Sequence, residues 1–365
     1  MNEWDDVRGK EQIRVIKVLL VDDSPLALVI MKRMLYAAPD IRVVGTARNG
    51  KEALKLIPIV DPDVICTDLH MPIIDGLALT KEVMEEYPRP ILVISISVQK
   101  ESENVFKLIE AGAVDVFPKP SSGLEEDYMK QTAEFISRIR ILSGVKVFRK
   151  KREKPLKRLE TTEPIIAVPG YTVPKILGIG TSTGGPNALQ RILLRLPSDF
   201  PLPVMCVQHI SEGFLLGFVE WLQGMSKVKI EIARQGELPL PGHVYFPPEN
   251  FHLIIDSEGK FRYSSQSPVD GHRPSATVMF HSMAQQFGSS AIGVLLTGMG
   301  RDGADGMKAI RDAGGITIAQ DEKTSIVFSM PKHAIELDAA QYVLPVDEIA
   351  RAILTLVNKK NDRSL

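Results

Sequence analysis

Short apolar runs alternate with amphipathic stretches along most of this 365-residue chain, and this alternation restricts its possible folds more than any other feature. In the first part, apolar runs predict strands at 17–21, 41–46, 63–67, 91–94 and 114–117. Helical spacing of apolar residues predicts helices at 26–37, 50–57, 77–87, 101–110 and 125–142. Strands that are apolar throughout and joined by helices are typical of a parallel sheet covered on both faces. The sequence therefore predicts an α/β fold with a parallel sheet of five strands.

The alternation resumes after residue 175. Apolar runs predict further strands at 176–179, 204–207, 292–296 and 316–319, and a helix is predicted at 347–358. These features indicate a second, doubly wound α/β domain. The stretch 229–263 differs, because it has β-branched pairs, Pro-Gly and Glu-Gly turns and little helical spacing. We expect it to form an antiparallel hairpin insertion at the sheet edge.

A break separates the two halves. Residues 149–158 are densely basic, and the stretch that follows them to 174 has little periodicity. We therefore predict a domain at 15–143, a linker at 144–174 and a second domain at 175–360, as the chain length suits two domains. The basic stretch could alternatively bind nucleic acid or acidic lipid, but no aromatic residues are interspersed in it.

Charge and hydropathy exclude several classes of partner. The net charge is −1, which provides no global attraction to nucleic acid or a membrane surface. No apolar run approaches the roughly 18 residues that span a bilayer, and residues 1–14 lack the apolar core of a signal peptide. Cys66 and Cys206 lie in apolar runs, so we expect buried reduced thiols. We expect a cytoplasmic monomer that neither binds nucleic acid nor inserts into a membrane.

Acidic residues follow two of the predicted strands in the first domain. Asp22 and Asp23 follow the first strand, Asp68 follows the third, and Lys119 follows the fifth. Residues just beyond the carboxyl ends of parallel strands meet in one crevice. Carboxylates there suit Mg²⁺, and an aspartate can accept a phosphoryl group when a cation neutralises its charge. Ser95, at the end of the fourth strand, could hydrogen-bond the phosphoryl oxygens.

The alternative is that these aspartates are simply helix caps. That explanation suits any one of them, but not the whole set with Lys119 at matching strand ends. The motifs Val-Asp22-Asp23-Ser-Pro, Asp68-Leu-His-Met-Pro-Ile-Ile-Asp-Gly and Phe-Pro-Lys119-Pro, together with Ser95, resemble the response-regulator receiver domain over about residues 15–140. The resemblance implies that Asp68 is the phosphoacceptor, that a histidine kinase is the phosphodonor, and that Mg²⁺ is held by Asp22, Asp23, Asp68 and the His70 carbonyl.

A glycine-flanked serine begins the second domain. In Gly180-Thr-Ser182-Thr-Gly184 the serine lies between an apolar run and a predicted helix start at Pro186. A serine on such a tight strand-to-helix turn has the placement of a nucleophile elbow. A dinucleotide-binding turn is the alternative, but that fold needs an acid at the end of the second strand. Here that position holds His209, 27 residues after Ser182, which could act as a general base.

The spacing of the sequence does not identify a single acidic residue that would orient His209. The glycine-rich loop 295–306 contains Asp302 and Asp305, and either could orient the histidine. His272, in Asp-Gly-His272-Arg273-Pro-Ser, is an alternative base or a substrate contact. We expect packing or surface roles for the remaining histidines of this domain, His243, His252, His281 and His333.

Residues 175–358 resemble the catalytic domain of the chemotaxis protein-glutamate methylesterases, the CheB family. The matching motifs are Ile-Gly-Thr-Ser182-Thr183-Gly-Gly, Val-Gln-His209, Gly-His272-Arg273-Pro-Ser and Leu-Thr-Gly-Met299-Gly-x-Asp302-Gly-Ala. The resemblance implies a nucleophile at Ser182, a base at His209 and an orienting acid at Asp302 rather than Asp305. It also implies that Thr183 and the Met299 amide lie near the reacting centre.

The resemblance further implies a function. It implies hydrolysis of glutamate γ-methyl esters, and deamidation of glutamines, on the cytoplasmic helices of chemoreceptors. No cofactor is expected in this domain, and a receiver that covers the serine crevice is expected to inhibit the enzyme until it is phosphorylated. The alternative from another class is a receiver with a DNA-binding or scaffold output, although the sequence has no helix-turn-helix pattern.

Overall fold

A computed structural model describes residues 14–96, 102–120, 125–147 and 172–358. The chain divides into two compact units, and the described residues form a five-stranded, a seven-stranded and a two-stranded sheet. The basic stretch 149–158 and most of the predicted linker lie outside the described residues, so the predicted domain boundaries remain predictions. Within the described ranges, no helix is long and apolar enough to cross a membrane.

In the described N-terminal residues, five short strands form one sheet, and the three central strands are almost fully buried. Its strands are β1 (Ile16–Val21), β2 (Ile41–Ala47), β3 (Val64–Asp68), β4 (Ile91–Ser95) and β5 (Asp115–Pro118), in the order β2-β1-β3-β4-β5. β1 pairs in parallel with both β2 and β3. Burial on both faces explains why the central strands β1, β3 and β4 are apolar almost throughout.

Helices follow these strands, as predicted. They are α1 (Pro25–Tyr36), α2 (Gly50–Val60), α3 (Gly76–Glu86), α4 (Ser102–Ala111) and α5 (Glu125–Ser143). Side chains of Ser24, Asn49 and Asp75 cap the first three helices by accepting hydrogen bonds from backbone amides of the first turn. These caps show why the helices begin directly after the turns that leave the strands.

The described residues 172–358 contain nine strands. They are β6 (Ile176–Thr181), β7 (Val204–Gln208), β8 (Lys229–Ile232), β9 (His243–Phe246), β10 (His252–Ile255), β11 (Phe261–Ser264), β12 (Ala291–Leu295), β13 (Ile316–Gln320) and β14 (Tyr342–Leu344). Seven of them form one sheet in the order β14-β13-β12-β6-β7-β9-β8, and every pair in it is parallel. The predicted α/β fold of the second domain is confirmed.

The expectation of an antiparallel insertion over 229–263 is correct only in part. β10 and β11 form an antiparallel hairpin, but β8 and β9 are parallel to each other and to β7 and extend the main sheet. The connection between β8 and β9 is long enough to return the chain so that both strands run in the same direction. The sequence did not reveal this, because short strands near a sheet edge can have one solvated face. Their mixed polar and apolar pattern is then the same as that of antiparallel strands.

Helices cover this sheet, and one of them positions the site. They are α6 (Gly185–Leu193), α7 (Leu215–Met225), α8 (Ala276–Phe287), α9 (Ala304–Asp312), α10 (Met330–Glu336) and α11 (Val346–Asn358). α8 approaches β6 so closely that a Cβ added to Gly178 would lie 2.6 Å from Met283 Sδ and 2.9 Å from a Phe280 ring carbon. Both side chains are fully buried. This packing fixes α8 on the sheet.

Candidate functional site

Three carboxylates meet at the carboxyl edge of the N-terminal sheet. One oxygen each of Asp22, Asp23 and Asp68 lies within 4.8 Å of the others. Asp22 and Asp68 are buried, whereas Asp23 is exposed and gives access from solvent. A set of hard carboxylate oxygens at one exposed edge fits a Mg²⁺ ion, which keeps several waters. These residues are therefore suited to hold the predicted cation.

The helix-cap explanation for these aspartates does not hold. Ser24 caps the helix after β1 and Asp75 caps the helix after β3. Asp22 and Asp68 instead accept hydrogen bonds from nearby backbone amides at 2.9 Å and 2.7 Å, which orient the carboxylates at the strand ends.

The other predicted residues of this edge follow neighbouring strands. Ser95 is the last residue of β4 and is buried. Lys119 directly follows β5, and its amide donates to the Ser95 carbonyl at 2.8 Å. His70 is exposed and lies two residues after Asp68. The structure thus places Ser95 and Lys119 side by side at the strand ends.

Ser182 lies on the tight turn that the sequence predicted. It follows β6, and Gly184 with φ 77° leads into α6. Its amide donates to the Thr297 carbonyl at 3.0 Å, and its carbonyl accepts from Gly185 at 2.8 Å. A Cβ on Gly298 would lie 2.7 Å from the Ser182 Cβ, so the neighbouring loop must have a glycine there. The serine is held rigidly, with a side chain that is almost fully buried.

His209 follows the adjacent strand β7, at the same level of the sheet as Ser182. Its amide donates to the Thr181 carbonyl at 3.0 Å. The amide group of Gln208 donates to the carbonyls of Ser182 at 2.9 Å and of His209 at 2.8 Å, and so ties the two strand ends together. The ring nitrogen Nε2 of His209 lies 2.8 Å from Asp302 Oδ2. Nδ1 is buried and has no hydrogen-bond partner in the described part of the chain.

The environment of Asp302 keeps its carboxylate ionised. The side chain is fully buried. Burial alone would raise its pKa, but hydrogen bonds from His209, Ser275 and the Thr277 amide hold the pKa of Asp302 well below its usual range. The ionised Asp302 accepts a hydrogen bond from the Nε2–H group of His209. Nδ1 is then the ring nitrogen that has a lone pair and can act as a base.

Asp305 is placed differently. Its side chain is about half exposed and forms an ion pair with Arg301 at 2.8 Å. Of the two aspartates that spacing left open, Asp302 is therefore the one in contact with His209.

The remaining predicted residues surround this cluster. The His272 ring stacks on His209 with 3.7 Å between ring centroids and 9° between planes. Arg273 donates to the carbonyls of Ser265 and Gln266, and it lines a pocket whose wall includes Gln208. The His272 ring is thus in contact with the predicted base, whereas the Arg273 guanidinium is held by hydrogen bonds to backbone carbonyls of the preceding loop.

Thr183 and Met299 lie on the two loops that meet at the serine. Thr183 is buried, and its carbonyl accepts from the Thr297 hydroxyl at 3.0 Å. Met299 follows Gly298, which packs on Ser182, and the Met299 side chain is about half exposed. Both residues are therefore next to residues that contact Ser182 or its loop, and their role at the reacting centre stays a prediction.

Sequence reasoning missed Ser275, which donates to Asp302 Oδ1 at 2.6 Å. Its signal was present, since a serine precedes the helical residues after Pro274 and reads as an N-cap. Of the histidines expected to have packing or surface roles, His252 is buried, His243 pairs with Glu231, and His333 bonds the Ser329 carbonyl.

Both cysteines are buried thiols, as predicted. Cys66 and Cys206 are fully buried and free, and burial raises the pKa of both thiols well above the usual range. They therefore have no reactive thiolate at neutral pH.

Comparison with known proteins gives matches in both halves. The CheB methylesterase family matches residues 177–353, and the response regulator receiver domain matches residues 18–127. The protein-glutamate methylesterase/protein-glutamine glutaminase 1 of Syntrophus aciditrophicus (strain SB) is 40% identical over 347 residues, covering 94% of this chain and 98% of that protein. Protein-glutamate methylesterase/protein-glutamine glutaminase 4 of Geobacter metallireducens is 39% identical over 350 residues, covering 95% of this chain and 100% of that protein.

A solved structure matches as well. The crystal structure of the Thermotoga maritima CheB methylesterase catalytic domain is 38% identical, with a TM-score of 0.49, and covers 51% of this chain and 100% of that one.

A receiver domain followed by an α/β domain with a serine at a strand end defines a response regulator with a hydrolase output. The relatives match this arrangement over nearly their full length. The chain belongs to the CheB family of methylesterases.

Proposed function

We propose that this chain is a phosphorylation-activated protein-glutamate methylesterase and protein-glutamine glutaminase that acts on chemoreceptors in the cytoplasm. The observation that carries the proposal is the buried contact of 2.8 Å between His209 Nε2 and Asp302 Oδ2, one strand from Ser182. A serine, a histidine with a lone pair on its second ring nitrogen and a buried carboxylate are the three groups that a Ser-His-Asp triad uses for acyl transfer from an ester.

The proposed reaction proceeds through an acyl-enzyme. Ser182 Oγ attacks the ester carbonyl carbon while His209 Nδ1 takes the serine proton. The tetrahedral intermediate then breaks its bond to the methoxy group, and His209 returns the proton to the departing methanol. Water attacks the acyl-serine with the same base, which releases the glutamate carboxyl group and restores Ser182. Ammonia leaves instead of methanol when the substrate is a glutamine.

Asp302 and the backbone stabilise the charges that arise. The ionised Asp302 stabilises the imidazolium on His209 and keeps its proton on Nε2. Backbone amides of the loops that carry Thr183 and Met299 are the proposed donors to the oxyanion, and one such donor is typically worth about 10²–10³ in rate. His272 and Arg273 are proposed substrate contacts at the rim. Every group in this scheme is supplied by the chain and by water.

The receiver supplies the control. Asp22, Asp23, Asp68 and the His70 carbonyl would hold Mg²⁺, which neutralises the charge of an incoming phosphoryl group. Asp68 is the proposed acceptor of that group from a histidine kinase, and Ser95 and Lys119 are the proposed contacts of the phosphoryl oxygens. Phosphorylation then shifts an equilibrium from a form with a covered serine crevice to an open form.

The test is methanol release from methylated receptors. Wild type should release methanol faster when a phosphodonor and Mg²⁺ are present, and Ser182→Ala should release none. The scaffold alternative requires an inert serine, so it predicts no covalent labelling of Ser182 by a fluorophosphonate. Methanol release by Ser182→Ala at the wild-type rate would refute the proposed nucleophile.

A further inference from the structure

We propose that Ser275 is a positioning residue of the active site, which fixes the Asp302 carboxylate in the orientation that holds His209. The inference rests on the proposed triad and extends it by one residue. Ser275 would not touch the substrate, and it would act through Asp302 alone.

The contacts of the carboxylate show how the position is fixed. Asp302 Oδ1 accepts from the Ser275 hydroxyl at 2.6 Å and from the Thr277 amide at 3.0 Å. Asp302 Oδ2 accepts from the Ala276 amide at 2.7 Å and lies 2.8 Å from His209 Nε2. Since Oδ1 is occupied by two donors of the α8 terminus, the carboxylate cannot rotate without breaking both. This leaves Oδ2 directed at the histidine.

A serine can perform two tasks at this point. Its hydroxyl donates its one proton to Asp302, and the oxygen accepts from the Val278 amide at 3.3 Å as the N-cap of α8. The shorter of the two bonds is the one to the carboxylate, as expected for a hydrogen bond to a charged group. Alanine can perform neither task, whereas threonine has the same hydroxyl and can perform both.

A buried histidine holds Ser275 from the other side. The Ser275 amide donates to His252 Nδ1 at 3.2 Å. A backbone amide is always a donor, so Nδ1 must be the acceptor and the ring proton must lie on Nε2, which faces the Ser267 carbonyl at 3.3 Å. His252 begins the β10–β11 hairpin and is fully buried. The hairpin is therefore linked to the active site through Ser275.

A purely structural role is the competing explanation. Loss of an N-cap lowers the stability of the helix, which reduces the folded fraction but not the turnover of each folded molecule. A positioning role lowers the rate of the folded enzyme itself. The two explanations are separated by rates that are measured on protein of known folded fraction.

The experiment compares single variants of the full-length protein. The first readout is the rate at which a fluorophosphonate labels Ser182, because this rate reports activation of the serine without depending on the receptor substrate. The variants are Ser275→Ala, Ser275→Thr and, as the matched control in the same helix, Ser282→Ala. Ser282 is also buried and hydrogen-bonded, to Met279 and Ile255. Ser275→Gly is the second test if the alanine variant does not fold, since glycine is a tolerated N-cap.

We expect Ser275→Ala to be labelled about 10- to 100-fold more slowly, in line with the loss of one hydrogen bond to a charged group. Ser275→Thr should recover most of the rate, and Ser282→Ala should match wild type. In methyl-ester hydrolysis, kcat should fall by a similar factor while KM stays unchanged.

The outcomes separate this inference from the proposed function. A folded Ser275→Ala or Ser275→Gly that is labelled at the wild-type rate overturns the positioning role, and so does an equal loss in Ser282→Ala. Slow labelling of Ser275→Ala supports the role even if methylated receptors release no methanol, which would refute the substrate alone. No labelling of wild type would overturn the triad and the role of Ser275 with it.

Discussion

Replacing Asp302 by asparagine should abolish most of the activity, and the structure shows why. The new NH₂ group must take the place of either oxygen. At the Oδ2 position it faces the Ala276 amide, and at the Oδ1 position it faces the Thr277 amide, so a donor meets a donor in both orientations. At Oδ2 it would also donate to His209 Nε2 and drive the ring proton to Nδ1, where the base needs its lone pair. A wrong tautomer typically costs about 10⁴ in turnover.

The same substitution should also destabilise the fold. A buried donor that is left without an acceptor costs about 1–3 kcal/mol. Because the pKa of Asp302 is lowered in the fold, its ionised form stabilises the protein above the ordinary aspartate pKa of about 3.9, and this contribution decreases as the pH falls below that value. The difference in unfolding free energy between wild type and Asp302→Asn should therefore be larger at neutral pH than at about pH 3.

Asp305→Asn is the matched control. Asp305 lies three residues further along the chain, in the first turn of α9, and its surface ion pair with Arg301 is worth at most about 1 kcal/mol. We expect its activity to stay within about twofold of wild type, since it has no contact with His209. Both variants are assayed by methyl-ester hydrolysis and by chemical denaturation. Equal losses of turnover, or a larger loss in Asp305→Asn, would refute the assignment of the acid.

Three further perturbations test other parts of the molecule. Asp68→Asn should accept no phosphate from a small phosphodonor with Mg²⁺ while it keeps basal esterase activity, and stable labelling of the variant would contradict the proposed phosphoacceptor. Deleting residues 1–144 should raise basal activity, by up to about 100-fold if the closed form prevails 99:1, and should remove the response to phosphodonor. A correctly folded fragment that is slower than the unphosphorylated full-length protein would contradict inhibition by the receiver. Gly298→Ala should lower activity and stability, by about 1–3 kcal/mol, because the new Cβ would lie 2.7 Å from the Ser182 Cβ. Gly224→Ala should do neither, because its Cβ would meet nothing within 4 Å, and an equal loss in that variant would contradict the explanation.

Strand-end reasoning predicted the parts of the site that depend on parallel topology. Apolar runs marked β6 and β7, and a polar residue directly after each run was expected at one edge of the sheet. The observed register places Thr181 opposite Gln208, so Ser182 and His209 follow at the same level. A parallel sheet buried on both faces leaves little freedom in this arrangement, and for that reason the sequence was sufficient.

The choice between Asp302 and Asp305 did not follow from spacing. The two residues lie in one glycine-rich loop, and only the resemblance to a family separated them. In the structure Gly303 has φ 91° and turns the chain between them. Asp302 is therefore fully buried, while Asp305 lies in the first turn of α9 with a side chain that is about half exposed. A glycine with a left-handed backbone conformation can be suspected from the sequence. Which of the two aspartates then faces the histidine depends on how α8 packs on the sheet.

The role of Ser275 depends still more on tertiary structure. A serine before a helical stretch predicts an N-cap and nothing else. Its second hydrogen bond joins residues 27 positions apart, and it forms only because α8 packs on β6 with its first turn directed at the loop after β12. The amino terminus of a helix favours a negative charge, so this placement also keeps Asp302 ionised. The same contacts thus stabilise the helix, keep Asp302 ionised and orient His209. A change at this helix terminus should therefore affect both stability and turnover, and only rates measured per folded molecule can separate the two effects.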